Sequence, residues 1–399
     1  EIKSASLTIT ARGIYEARIN GERVGDFILA PGWTSYDERH QYQKYDITNS
    51  IKNTNSLCVT VGKGWYRGPF IGWREKDIYG GSSGLIAAIE IEYKNGKSDL
   101  IFTDSNWKVA ESPIRFSEIY DGEIYDSNLT EFEWEDVEFF CGQKNNLIEQ
   151  EGCIVTEQEV IDAVAMFKTP NGETVVDFGQ NLTGYVAFEI EAKKGEKLAY
   201  SHGEILDSED NFYNKNLRSA KQKIEYICCD GKQSYKPHHT FMGFRYIRID
   251  EAPKGIKAEN FKAIVVHSNM KRTGYFKCSN PKVNKLYSNV IWGQKGNFVD
   301  VPTDCPQRDE RLGWTGDAQV FVKTASYNFD VRLFFKKWLK DLAAGQLGDG
   351  SVPAVIPAII DTLLVSTGAA WGDAAVICPW QIYLTYNDRE VLEDQLESM

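Results

Sequence analysis

The stretch Asp304–Ala318, DCPQRDERLGWTGDA, sets four acidic and two basic residues beside one tryptophan and two glycines, directly after an apolar run. Pro302 and Pro306 stand at its start. Each would end a helix arriving from upstream, because proline lacks the N–H and crowds the preceding turn. From Gly313 onward, GWTGDAQVF reads as the opening of a new helix. Asp304 to Arg311 therefore fall on a loop presented by a helical scaffold, a setting that carries chemistry more often than packing. Carboxylates and guanidinium groups grip vicinal hydroxyls, while an indole covers the apolar C–H face of a sugar ring. A Glu in such a pocket is a candidate proton donor to a leaving oxygen. A solvated salt-bridge cluster at a helix start uses the same residue types, and spacing alone does not separate the two readings.

Helical patterning extends to both sides of the stretch. In NPKVNKLYSNVIWGQKGNFVDVP, Val283, Leu286, Tyr287 and Val290 follow helical spacing, with Asn280 as N-cap and Pro281 at the first helical position. This predicts a helix running up to the prolines. Leu333, Phe334, Trp338, Leu339 and Leu342 place another in VRLFFKKWLKDLAAGQL, and DAAVICPWQIYLTY is a third. A last helix is expected to start at Asn387 or Asp388. Upstream the pattern is different. SLTITARGIYEARINGERVGD alternates apolar and polar residues and contains Asn20-Gly21, a two-residue hairpin signal repeated at Asn95-Gly96. Residues 1–150 read as one β-sandwich domain. A second, 151–268, has its clearest strands in ETVVDFGQNLTGYVAFEIEAKKGEKLAYSHGE and FRYIRIDEAP, and the helical part occupies 269–399.

With 399 residues, of which 42% are hydrophobic and 13% aromatic, the chain can bury a large core and is long enough for two or three domains. It has no run of about eighteen apolar residues, so no membrane partner is expected. A net charge of -12 argues against nucleic acid, which needs clustered Lys and Arg. The eight cysteines, at 58, 141, 153, 228, 229, 278, 305 and 378, lack zinc-site spacing. They read as free thiols of a reducing compartment, which makes a cytoplasmic location the working expectation. Secretion, or a periplasmic location after removal of a signal, is left open.

The charged stretch closely resembles the signature of the bacterial α-L-rhamnosidases of glycoside hydrolase family 78. GIYEARINGERVGDFILAPGWTSYDERHQYQKYDIT, GKGWYRG and YDGEIYDSN resemble that family's N-terminal β-sandwich domain. VVDFGQNLTGYVAFEIEAKKGEKLAYSHGEILD and YKPHHTFMGFRYIRID resemble the β domain that follows it, and WGDAAVICPW resembles a second motif of its (α/α)6 barrel. The resemblance covers nearly the whole chain in the family's own domain order. It implies two β-sandwich domains followed by the first part of an (α/α)6 barrel, and hydrolysis of terminal α-L-rhamnose with inversion and without cofactor or metal. Position by position, Glu310 matches the general acid. Asp304 and Arg308 match residues that hold the sugar hydroxyls, Trp314 an aromatic wall, and Asp317 a further acid of the pocket. Trp371 and Asp373 fall in the second motif and are expected to line the same cavity. The partner is then a rhamnose-containing glycoside or oligosaccharide, and a homodimer is left open. A non-catalytic carbohydrate-binding protein and another (α/α)6 glycosidase are the alternatives.

The chain departs from the pattern in length. Twelve helices with their loops need on the order of 200 residues, whereas about 130 follow residue 270, room for roughly five helices. The position matching the family's water-activating glutamate is not reached. A fragment or a truncated product is therefore expected, inactive by itself, with Leu392, Leu396 and the Trp380–Tyr386 segment exposing apolar faces.

Other residues have plainer readings. Cys305 lacks a local His and is expected to be a packed thiol. His238 and His239, taken as strand neighbours, would point to opposite faces and share no metal. His202 and His267 read as structural. GKGWYRG lacks the ending of a phosphate loop and is expected to be a turn positioning Trp65. Trp33, Trp65, Tyr66 and Trp73 are expected mostly in the core rather than on a sugar-binding face.

Overall fold

The hairpin signal at Asn20-Gly21 is realised. Both residues take positive φ, 54° and 85°, and turn Ile14–Ile19 back onto Glu22–Arg23. The structure is a computed structural model that describes residues 1–70, 76–140, 145–359 and 368–399. Near the N-terminus, a five-stranded sheet runs in the spatial order Leu147–Glu149, His40–Asp46, Ile2–Arg12, Gly84–Tyr93, Ser98–Phe102. A three-stranded sheet is formed by Glu22–Arg23, Ile14–Ile19 and Leu57–Gly62. Alternation within these strands sends Leu7 and Ile9 of one, and Tyr15, Ala17 and Ile19 of another, into one core. Trp33, Trp65 and Tyr66 are buried in it, and the rings of Trp33 and Trp65 stack at 5.8 Å. Helix α1, Gly64–Arg67, is the single turn that inserts Trp65. Trp73 and Cys141 lie outside the described residues.

A ten-stranded sheet follows, built around the 19-residue strand Thr174–Ala192, which pairs with Met242–Glu251 and Phe261–Ser268. The sheet also takes in Ile114–Glu118 and Gly122–Asp126, the latter parallel to Lys223–Ile227. It thus draws on residues from both sides of the boundary expected near 150. Gly122 permits that pairing. At φ 109° a Cβ there would stand 1.9 Å from the Lys223 carbonyl oxygen. The close approach brings the preceding Tyr120 under the helical part of the chain.

Five helices complete the described residues: α2, Pro281–Asn297; α3, Thr315–Asn328; α4, Arg332–Gly345; α5, Ala374–Tyr386; and α6, Glu390–Gln395. The chain is therefore a multidomain molecule, two sheet-built units followed by helices that fit part of an (α/α)6 barrel. Asn280 caps α2 through the Lys282 N–H, with Pro281 at its start. The helix ends at Asn297, short of the prolines, and Phe298–Val299 and Val301–Pro302 form a small hairpin instead. Asp300 sits at its tip with φ 67° and donates its N–H to Ser268 Oγ. Phe298 stacks on Phe334 at 4.5 Å. The apolar residues that suggested more helix are there because this hairpin is buried on all sides.

Two further expectations are corrected. Asn387 is the left-handed cap of α5, so the last helix begins at Glu390. His238 and His239 lie in a bend rather than a strand, and the backbone N–H groups of both donate to Glu123. At the end of the chain Leu396, Trp380 and Leu384 are exposed, whereas Tyr383, Tyr386 and Leu392 pack against the core. The seven described cysteines are free thiols. No described helix is long and apolar enough to cross a membrane.

Candidate active site

The loop between the 298–302 hairpin and α3 is held open by Arg311. Its φ of 49° is left-handed, and its guanidinium is fully buried. A buried charge must be compensated by hydrogen bonds. Arg311 spends its donors on the carbonyls of Ile119 and Phe241 and on those of Arg308 and Gln307, and lies over the rings of Tyr120 and Phe241. It therefore rivets the loop onto the ten-stranded sheet. Tyr120 adds a second rivet, its hydroxyl donating to the Glu310 carbonyl oxygen at 2.7 Å.

On this platform four of the expected residues converge. Arg308 donates from Nη2 to Asp304 Oδ2 and from Nε to Glu310 Oε2, both at 3.0 Å. Trp314 Nε1 donates to Glu310 Oε1 at 3.0 Å. Leu312 N–H, at 3.1 Å, fixes Asp304 Oδ1. Glu310 is buried, with only 11% of its side chain exposed, while Arg308 keeps 32% in contact with solvent. Burial, aided by the charge of Glu310, pushes the Asp304 carboxyl up to about 6. Asp317, on the first turn of α3, is raised by burial of its carboxyl first and by nearness to Glu310 second. Acidic groups at that position also suit the positive end of α3.

Trp371 joins from the loop before α5. It lies against Gly316, where a Cβ would stand 2.7 Å from the indole Cε2, so only glycine lets this ring settle beside Asp317. Trp371 is 42% exposed, so it is not sealed into the core. Asp373 is placed differently. It is exposed at the start of α5 and accepts the Ala370 N–H at 3.2 Å, with no hydrogen bond to Asp304, Arg308, Glu310 or Trp314 among the described contacts.

Residues from the ten-stranded sheet and the segments connecting its strands were not foreseen. Arg218 Nη1 donates to Glu310 Oε2 at 2.7 Å, and Ser219 Oγ donates to Asp309. Glu204, raised by burial, accepts hydrogen bonds from Asn181 and Asn216 at 3.0 Å each. Arg218 lies 92 positions upstream of its partner, so no local pattern links them.

The ligand atoms of Asp304, Cys305 and Glu310 lie within 4.8 Å of one another. The cation in that cluster is already the Arg308 guanidinium, which bonds both carboxylates, and burial pushes the Cys305 thiol up to about 12. The thiol is neither a ready metal ligand nor a nucleophile.

Comparison with known proteins places these features in a family. Residues 1–162 match the alpha-L-rhamnosidase N-terminal domain, 167–267 the bacterial alpha-L-rhamnosidase concanavalin-like domain, and 271–399 the bacterial alpha-L-rhamnosidase 6 hairpin glycosidase domain. An alpha-L-rhamnosidase of Streptomyces avermitilis is 38% identical over 413 residues, covering 100% of this chain and 40% of that protein. The crystal structure of the S. avermitilis enzyme complexed with L-rhamnose superimposes with a TM-score of 0.94 at 38% identity, over 100% of this chain and 40% of that one. A native rhamnosidase from Aspergillus terreus gives 0.95 at 40% identity, over 100% and 48%. The chain thus spans between two fifths and one half of the length of these relatives.

Proposed function

The chain belongs to the bacterial α-L-rhamnosidase family, and from that premise we propose that it carries the proton-donating half of an active site that hydrolyses terminal α-L-rhamnose from rhamnosides with inversion. The observation that carries this reading is the convergence of Arg308, Trp314 and Arg218 on the Glu310 carboxylate inside the family's hairpin glycosidase domain. Glu310 protonates the glycosidic oxygen as the bond to C1 breaks, so the aglycone leaves as a neutral alcohol. The exposed flank of Arg308 and the Asp304 carboxyl take sugar hydroxyls, and the Trp314 and Trp371 indoles cover C–H faces of the ring. Asp317 supplies a further acceptor near Glu310.

Inversion needs a second carboxylate about 6.5–9.5 Å from the acid, on the far side of the ring, to deprotonate the attacking water. Asp304 does not suit that role. Its oxygen lies within 4.8 Å of Glu310, and one guanidinium binds both groups from the same side. We therefore exclude Asp304 as the base and propose, from the family resemblance, that a carboxylate of a later barrel helix takes that role. In the complete enzyme, the first sugar seen by proton NMR during hydrolysis of an α-L-rhamnoside should be β-L-rhamnose. Appearance of the α anomer first would overturn inversion. Absence of turnover on rhamnosides, with turnover on another neutral sugar or with binding alone, would favour the alternative readings.

A further inference from the structure

Arg218 is delivered to Glu310 by a turn of the ten-stranded sheet that is fixed on both sides. The one-turn 3-10 helix Lys215–Leu217 ends at Arg218, which takes φ 59° and ψ -117°. Left-handed backbone at a non-glycine residue is unfavourable and persists only where its surroundings enforce it. Here Leu217, on one side, is 1% exposed in the core. On the other, Ser219 donates to Asp309 of the catalytic loop. Gln222, also left-handed at φ 46°, accepts the Gly243 N–H at 3.1 Å. With its neighbours anchored, the Arg218 backbone is fixed beside the loop, and its guanidinium reaches Glu310. An ordinary half-exposed ion pair contributes little, and its two long side chains are free to part. Arg218 also keeps 50% of its side chain exposed, but it springs from a strained turn and is aimed at a carboxylate of which only 11% is exposed.

The two oxygens of Glu310 are treated unequally. Oε2 accepts from both guanidinium groups, Arg218 Nη1 at 2.7 Å and Arg308 Nε at 3.0 Å, whereas Oε1 accepts only from Trp314 Nε1 at 3.0 Å. A carboxylate oxygen offers two lone pairs, so Oε2 has none left for a proton. We propose that Arg218 is a positioning residue for the glycosidase reaction, contributed by the concanavalin-like domain, which with Arg308 pins Oε2 so that Glu310 presents Oε1 as the atom that carries and delivers the proton. This rests on the reading of Glu310 as the general acid.

The test compares Arg218→Met and Arg218→Lys with Glu310→Gln in the complete enzyme. Each is assayed on a rhamnoside with a poor leaving group and on one whose leaving group needs no proton, and kcat/KM is followed against pH. Among the described residues, Asp304, Cys305, Arg308, Asp309 and Arg311 of the loop, Asp317 of α3 and Arg218 of the turn are titratable or charged groups near Glu310, and only the last is altered. Arg218→Met should lose about tenfold or more in kcat on the poor leaving group, with KM nearly unchanged and a much smaller loss on the activated substrate. Its basic limb should move to higher pH, because a neighbouring cation has been removed. Arg218→Lys should keep the limb near its original position while recovering only part of kcat, since an ammonium lacks the planar fork. Unchanged kcat and pH profile in Arg218→Met, equal losses on both substrates, or a change confined to KM would overturn the proposal. If Glu310→Gln shows leaving-group dependence and Arg218→Met does not, the Arg218 assignment alone fails. If Glu310→Gln shows none, the acid assignment fails and takes Arg218 with it.

Discussion

Lys337 Nζ stands 2.8 Å from Asp300 Oδ2, and the two side chains are 2% and 1% exposed. The pair ties three parts of the chain together. Lys337 comes from α4 and Asp300 from the hairpin before the 304–314 loop, and the ammonium also donates to the Trp33 carbonyl of the N-terminal unit at 2.6 Å. Removing one member of a buried pair strands the other's charge, at a cost of about 3–5 kcal/mol. Lys337→Met should therefore destabilise the protein by about that amount in denaturant unfolding. Adding Asp300→Asn to it should recover part of the loss. A cost below about 1 kcal/mol for the single change would show that the pair does not hold the units together.

The Asp304–Arg308 contact makes a separate prediction about binding. Replacing either residue with Ala should weaken binding of free L-rhamnose by about 1–3 kcal/mol, the usual loss when a charged hydrogen-bond partner is removed. Calorimetry with rhamnose would measure it. Unchanged affinity in both variants would return the cluster to a salt-bridge network of the loop.

Buried histidines set part of the acid response. Burial pushes His40, His202 and His239 each down to about 4. A folded state that resists protonation loses stability as pH falls from the ordinary histidine value near 6.5 toward 4. Asp304, Glu118 and Asp341, pushed up to about 6, act in the opposite sense over the same window, because they bind protons more readily folded than unfolded. His202→Asn removes one of these histidine contributions, to which His267, also lowered by burial, adds in the same sense. Its stability should vary with pH between 6.5 and 4 in a sense displaced toward the carboxyl trend, holding up better at the acid end relative to pH 7 than the parent does. An identical pH dependence would mean that His202 titrates alike in both states.

Much of this architecture could be read locally. Asn280 and Pro281 announce α2 because capping is decided within a turn, and Asn20-Gly21 announces its hairpin because both residues tolerate positive φ. Asp304, Arg308, Glu310 and Trp314 were legible as a group since they share one loop that ends at the N-cap of α3. The end of α2 was not, because burial of Phe298 and the hold of Lys337 on Asp300 are set by segments far away in sequence. Arg218 escaped for the same reason. Its role depends on a turn 92 residues from Glu310 that only the folded sheet brings near. Asp373 was placed by its motif alone, and in the structure it bonds its own loop.

The central claim is that Glu310 delivers the proton to the leaving oxygen. The most direct measurement is the turnover of Glu310→Gln in the complete enzyme on two α-L-rhamnosides, one with a leaving group that requires protonation and one that does not. The account predicts a loss of about two to four orders of magnitude in kcat on the first and a far smaller loss on the second. Equal losses on both substrates would contradict it.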